Sequence, residues 1–345
     1  MLTAKENLRE TIKGGSPDRF VNQYEAFALQ FHPFMVSSPM PQPGTLDVQN
    51  AWGVYNSWPE GTPGMMPNHA PDKILIKDIE NWRDYLKAPN LDFPQEQWDM
   101  FKAQYDAVDK TKAFTAVFVA PGLFEQCHHF SEITNALMYF MLNPKEMHEL
   151  IKYLVEFELK MMEDICAKLK PEVVFHHDDW GTEINSFLSP ELFDEFFTQP
   201  YKEIYGYSKN HGVELIVHHS DSYGANLVPH MIEMGIDIWQ GVMEKNDVPA
   251  LIKQYGGQIS FMGGINNASV EFDGWTEEHV RNYVRKTLDL YDPNYFIPCI
   301  TQGGPGSCYP GVYDLMSDEI DKYNIEKFGI TDPAAYRIPP VVLFG

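Results

Sequence analysis

The 345-residue chain is 44% hydrophobic, enough to bury a large core in one big domain or two modest ones. Its formal net charge of -23, from 26 Lys+Arg against 49 Asp+Glu, opposes nonspecific attraction to nucleic acid or to an anionic membrane surface. Four cysteines are too few for a disulfide scaffold, no secretory leader opens the chain, and no apolar run approaches the roughly 20 residues of a membrane span, so the expectation is a cytoplasmic protein acting on small molecules or a protein partner.

Thr3 to Lys13 has the mixed charge and spaced apolar residues of a short surface helix, ended by Gly14-Gly15. Val21 to Tyr24 is the predicted first strand. From His32 to Pro71 the text is rich in Pro, Gly, Met and aromatics with weak periodicity, which predicts either a lid packed over a pocket mouth or an irregular structural extension. Helices are expected at Ile79 to Leu86 and Gln95 to Lys110, then a core strand from Ala113 to Ala120, stopped by Pro121-Gly122. Glu125, Cys127, His128 and His129 stand just beyond that strand. Asn143-Pro144-Lys145-Glu146 reads as a helix start with Asn at the cap and Pro at the first position, and the helix should reach Lys170.

After Glu172 the units become regular. Strands are predicted at Val173 to His176, Val213 to Val217, Ile236 to Val242, Gln258 to Met262 and Tyr295 to Ile300, with helices between them, one of them running from Ser189-Pro190-Glu191 to Gly212. The first half has room for three more such units. Alternating strand and helix argue for a parallel sheet, closed as an eightfold barrel or open and doubly wound. The barrel is favoured because strand after strand ends in polar or Gly-rich text, and in a barrel those ends converge on one face. The expected architecture is therefore α/β, a single (β/α)8 TIM-type barrel over residues 1–345, with residues 1–110 carrying the lid-like extension. No Gly-x-Gly-x-x-Gly follows a strand and no P-loop motif occurs, so a dinucleotide or nucleotide-phosphate site has no support.

Three clusters carry chemistry-bearing side chains: His176-His177-Asp178-Asp179, His219-Ser220-Asp221, and Cys299. Strand alternation sends His219 and Asp221 to one side, and His218 and Ser220 to the other. Imidazole with carboxylate suits a metal site or a proton-transfer pair, and equally suits a helix cap with local hydrogen bonds.

The run Val217-His218-His219-Ser220-Asp221-Ser222, followed by Pro229 to Asp237, resembles the His-Ser-Cys-Gly segment and next helix of the uroporphyrinogen decarboxylase superfamily. Asp178-Asp179-Trp180-Gly181-Thr182, Ser189-Pro190-Glu191-Leu192-Phe193 and Phe261-Met262-Gly263-Gly264-Ile265 occur in matching order. The resemblance runs from about Pro17 to the C-terminus and implies a single barrel, in a superfamily holding both heme-synthesis decarboxylases and cobalamin-dependent, zinc-using methyltransferases. The decarboxylases carry an Arg-rich N-terminal motif, whereas here no arginine lies between Arg19 and Arg83. The methyltransferase branch is the closer likeness. Its His-x-Cys zinc pattern with a distant Cys implies zinc held by His219, Asp221 and Cys299, with Asp221 in place of the first Cys. That carboxylate makes the metal harder and favours an oxygen-linked methyl group, such as that of a methoxylated aromatic. His177, Asp178 and Asp179 are the expected catalytic groups, and Gly263 and Gly264 the expected cofactor-binding ones. The implied reaction moves a methyl group from a small donor to the cobalamin of a separate corrinoid protein. Two alternatives stand beside it: a metal-independent decarboxylase or lyase, and a non-enzymatic corrinoid-binding or partner-docking protein.

Overall fold

Strands β1 (Phe27–Gln30), β2 (Phe114–Val119), β3 (Val173–His177), β4 (Leu215–His219), β5 (Ile238–Val242), β6 (Ser260–Ile265) and β7 (Phe296–Ile300) pair in parallel and in sequence order in a computed structural model that describes residues 1–62 and 64–339. Every residue of β2, β4, β5, β6 and β7 is buried, because helices cover one face and side chains fill the other. This is why these strands read as near-continuous apolar runs rather than alternating ones. The five strands predicted after Glu172 are all present, with ends displaced by up to three residues.

The chain thus has an α/β fold with a curled parallel sheet of the TIM-barrel type, and the sheet has seven strands among the described residues where an eightfold barrel was expected. Val21 to Tyr24, the predicted first strand, turns instead of extending. Glu25 N–H donates to the Asn22 carbonyl (3.0 Å), Phe27 N–H donates to that of Tyr24 (2.8 Å), and Gln23 takes φ 50°. Amides spent on tight turns cannot serve a ladder, so the strand starts at Phe27. Gln23 N–H still donates to Pro298 O of β7 (3.1 Å), and Phe20 meets Phe296 at 6.4 Å, which seats this turn against the last strand.

Helix α1 (Ala4–Lys13) has a Thr3/Glu6 capping box and ends on left-handed Gly14, as expected. It packs beside the start of β2, with Lys5 Nζ donating to the Lys110 carbonyl and to Glu172. Helix α2 (Leu123–Ser131) follows β2, and α3 (Pro144–Lys168) ends before Pro171 as predicted; Pro144 opens it, but Asn143 makes no side-chain cap. Helix α4 (Gln199–Asn210) continues from Pro190 through a π-helical turn at Asp194–Thr198. The segment read as a loop from His32 contains a short helix (Pro33–Ser37) and a three-stranded antiparallel sheet (Thr45–Gln49, Tyr55–Trp58, Met66–Pro67). Its Trp52 packs on Phe130 of α2 and Phe157 of α3, at ring distances of 5.4 and 4.8 Å, pinning the segment beside the end of β2. Among the described residues no helix is long and apolar enough to cross a membrane.

Candidate active site

Strands β3 and β4 both end in His-His, and their register sets His176 opposite His218 and His177 opposite His219. Alternation then sorts the four rings into two stacks. His176 and His218 turn to the helical layer, 5.8 Å apart and nearly parallel, where Glu158 Oε1 lies 2.8 Å from His176 Nε2 and the Tyr205 hydroxyl 2.8 Å from His218 Nδ1. These are buried core histidines with partners. His177 and His219 stack on the opposite face, centroids 4.4 Å apart at 19°.

The inward pair is held in one orientation. His177 Nδ1 lies 3.0 Å from Glu125 Oε2, and His219 Nδ1 contacts Gln240 Oε1. Gln240 Nε2 donates to the Ile300 carbonyl (3.3 Å), which orients its amide so that the oxygen faces the imidazole. A carboxylate and an amide oxygen only accept, so both Nδ1 atoms carry protons. Both Nε2 atoms are then directed at Asp179, each 3.9 Å from one of its carboxylate oxygens. Asp179 is steadied by the Asp221 N–H, which donates to Oδ1 at 2.9 Å. The side chains of His177 and Asp179 are each 29% exposed and that of His219 only 5%, so the site opens to solvent on one side.

Burial works against charge on both rings, with different outcomes. For His177 the carboxylates of Glu125 and Asp179 outweigh it and raise the pKa to about 10. For His219 burial is reinforced by the neighbouring His177 charge, and the pKa falls to about 4. The result is one imidazolium and one neutral imidazole stacked over a carboxylate.

One donor atom each from His177, Asp179 and His219 fall within 4.8 Å of one another, the spacing a single cation requires. The trio implied by resemblance, His219, Asp221 and Cys299, forms no such group among the described residues. Asp221 lines the same space, and burial and the charge of Asp179 push its carboxyl up to about 7. Cys299 is fully buried on β7, its thiol pushed up by burial and lying beside Tyr24 and Gln240, and Gln240 is the residue that also meets His219. Asp178 points away from the group. Its Oδ1 accepts from Glu125 N–H (2.7 Å), and its Oδ2 from Phe124 N–H (3.0 Å), the Trp180 indole (2.9 Å) and the Tyr201 hydroxyl. It therefore satisfies the open amides at the start of α2 from across the fold. A Cβ on Gly122 would lie 2.4 Å from that of Asp178, so only glycine fits there. Gly263 and Gly264 serve strand packing: a Cβ on Gly263 would sit 2.4 Å from the Val242 carbonyl oxygen, and one on Gly264 would sit 3.0 Å from the Phe296 ring.

Glu125 and Gln240 were not singled out from the sequence as groups that orient the two imidazoles. A cavity of about 280 Å³ bounded by Tyr24, Asp314, Asp321 and Arg337 lies elsewhere and includes none of the site residues.

The family profile described as Uroporphyrinogen decarboxylase (URO-D) matches residues 78–299, more than half of the chain. No curated protein sequence matches it. Among solved structures, a methyltransferase from Methanosarcina mazei superposes with a TM-score of 0.64 at 12% identity, covering 94% of this chain and 99% of that one. A Cellulomonas fimi endo-beta-1,4-mannanase double mutant gives 0.36 at 14% identity over 74% of this chain and 64% of that one, too low to carry weight. At 12% identity the first match is a likeness of fold.

Proposed function

Because this chain belongs to the uroporphyrinogen decarboxylase family, we propose that it is a methyltransferase of that family, moving a methyl group from an oxygen-linked donor such as a methoxylated aromatic to a corrinoid protein. The observation that carries this reading is the pair of imidazoles fixed through Nδ1 with both Nε2 atoms turned to Asp179. Outer partners that fix the tautomer in this way are the usual support of a metal-binding histidine. The donor set of two imidazoles and a carboxylate fits zinc with an open position, so His177, Asp179 and His219 would hold it. When bound, zinc supplies a Lewis acid that stabilises the negative charge left on the departing oxygen.

The surrounding residues have separable tasks. Glu125 and Gln240 hold the two rings. Asp221, whose carboxyl is pushed up by burial and by the Asp179 charge in the metal-free protein, is the group placed to pass a proton to the oxygen as the methyl–oxygen bond breaks. The electron pair of that bond stays with the oxygen, and a corrinoid on a partner protein would be the acceptor that supplies the pair for the methyl group.

A decarboxylase acting on a porphyrinogen with many carboxylates would need arginines at its pocket. All six arginines of this chain are engaged elsewhere: Arg9 with Glu214, Arg19 with Asp18, Arg83 with Glu149, Arg281 and Arg285 with Glu319, and Arg337 with Asp321. That supports the methyltransferase reading over the decarboxylase one.

Removing metal with a chelator should abolish methyl transfer to cob(I)alamin, and added zinc should restore it; transfer that survives complete metal removal would favour acid-base chemistry by His177 and Asp179 alone. Zinc affinity should rise with pH through the neutral range, because His177, with its pKa up at about 10, must release about one proton to become a ligand. Calorimetry in buffers of different ionisation enthalpy counts that proton. Gln240→Leu should weaken zinc binding roughly 10–100-fold while leaving the fold intact, since it removes only the outer partner of His219. A competition titration with a chromophoric chelator measures this, and unchanged affinity would mean that His219 is not oriented through Gln240.

A further inference from the structure

We propose that Glu125, His128 and His129 of α2 form a second divalent-cation site next to the first. Their spacing of i, i+3 and i+4 gathers them on one side of the helix. One donor atom from each falls within 4.8 Å of the others, as in the His177, Asp179 and His219 group. The two rings stand perpendicular with centroids 4.7 Å apart. His128 Nδ1 is buried without a hydrogen-bond partner, a cost that a folded protein rarely leaves uncompensated. A third imidazole, His69, approaches from the N-terminal segment, its Nε2 3.4 Å from the His129 carbonyl oxygen.

The neighbourhood explains why this face is held in place. Asp178 accepts from the Phe124 and Glu125 amides and so fixes the first turn of α2 relative to the end of β3. Glu125 then belongs to both groups: it is a member of the second, and its Oε2 meets His177 Nδ1 of the first at 3.0 Å. Two imidazoles and one carboxylate select a zinc-like first-row cation over magnesium or calcium, which demand oxygen shells. Occupancy of the two sites is coupled through that shared carboxylate. This inference does not depend on the methyl-transfer reading.

Cobalt(II) added to the metal-free full-length protein tests it, with bound metal counted by elemental analysis and by visible absorption. Wild type should bind two equivalents and the His128→Ala/His129→Ala variant one. His219→Ala, which disrupts the other group, should also retain one, and retains it whether or not the protein transfers methyl groups. The milder His128→Gln variant, which keeps a polar side chain, should show the second equivalent weakened at least tenfold with an unchanged melting curve. Equal stoichiometry and affinity in wild type and in the His128 variants would overturn the proposal.

Discussion

His219→Ala should abolish methyl transfer and remove one equivalent of bound metal while leaving the fold intact. His219 is nearly enclosed, its Nδ1 is tied to Gln240, and its Nε2 faces Asp179, so alanine deletes one donor of three. Loss of the Lewis acid withdraws several kcal/mol of charge stabilisation from the departing oxygen, on the order of a 10³-fold loss in rate or more. Steady-state transfer to cob(I)alamin, with zinc counted on the same preparation, gives both numbers. Full activity with undiminished zinc would place the chemistry elsewhere.

The adjacent carboxylates Asp178 and Asp179 should behave oppositely on substitution. Asp178→Ala strips an acceptor from two backbone amides, an indole and a phenol, all buried, and should cost on the order of 3–5 kcal/mol of stability. The damage should centre on α2, because Asp178 is the acceptor that holds the Phe124 and Glu125 amides at that end. Burial and the nearby Glu125 raise the Asp178 pKa to about 7, against the four donors that favour its ionised form. Asp179→Asn, by contrast, should change stability of the metal-free protein by no more than about 1 kcal/mol: its side chain is partly exposed, its one hydrogen bond comes from the Asp221 amide, and the lost attraction to His177 is offset by the lost repulsion of Glu125 and Asp221. It should nevertheless lose most activity. Urea unfolding of the two metal-free variants beside wild type measures the difference, and similar stability losses would show that Asp179 is structural as well.

Much of this arrangement was legible in the text of the chain, and the failures have physical causes. The His-His doublets at Val173–His177 and Leu215–His219 announced two strand ends facing one site, and alternation placed His219 inward, with His218 outward. Pairing His219 with Asp221 by the same rule assumed that the strand continues. β4 ends at His219, so alternation no longer governs Asp221, and the partner in reach is His177 across the ladder. Register between strands distant in sequence cannot be read from either strand alone. Helix α2 left no local signal because its cap is Asp178, more than fifty residues downstream, rather than a Ser or Asp just before it. Glu125 was therefore seen as a polar residue after a strand, without the contact to His177 that gives it a role. Gln240 was visible only as a polar strand end, and its place beside both His219 and Cys299 depends on the curl of the sheet.

The oxygen-linked donor is the claim most open to a single measurement. A site with two imidazoles and a carboxylate and no thiolate favours oxygen over sulfur at the open position. Metal-loaded protein should be given a methoxylated aromatic and a methyl thioether together, with cob(I)alamin as acceptor, and the formation of methylcobalamin followed by absorbance while each donor is quantified. Methylcobalamin should form with consumption of the methoxy compound and release of its phenol, leaving the thioether untouched. Methylation at the expense of the thioether alone, or no methylcobalamin from any methoxy donor, would contradict the proposed chemistry of His177, Asp179 and His219.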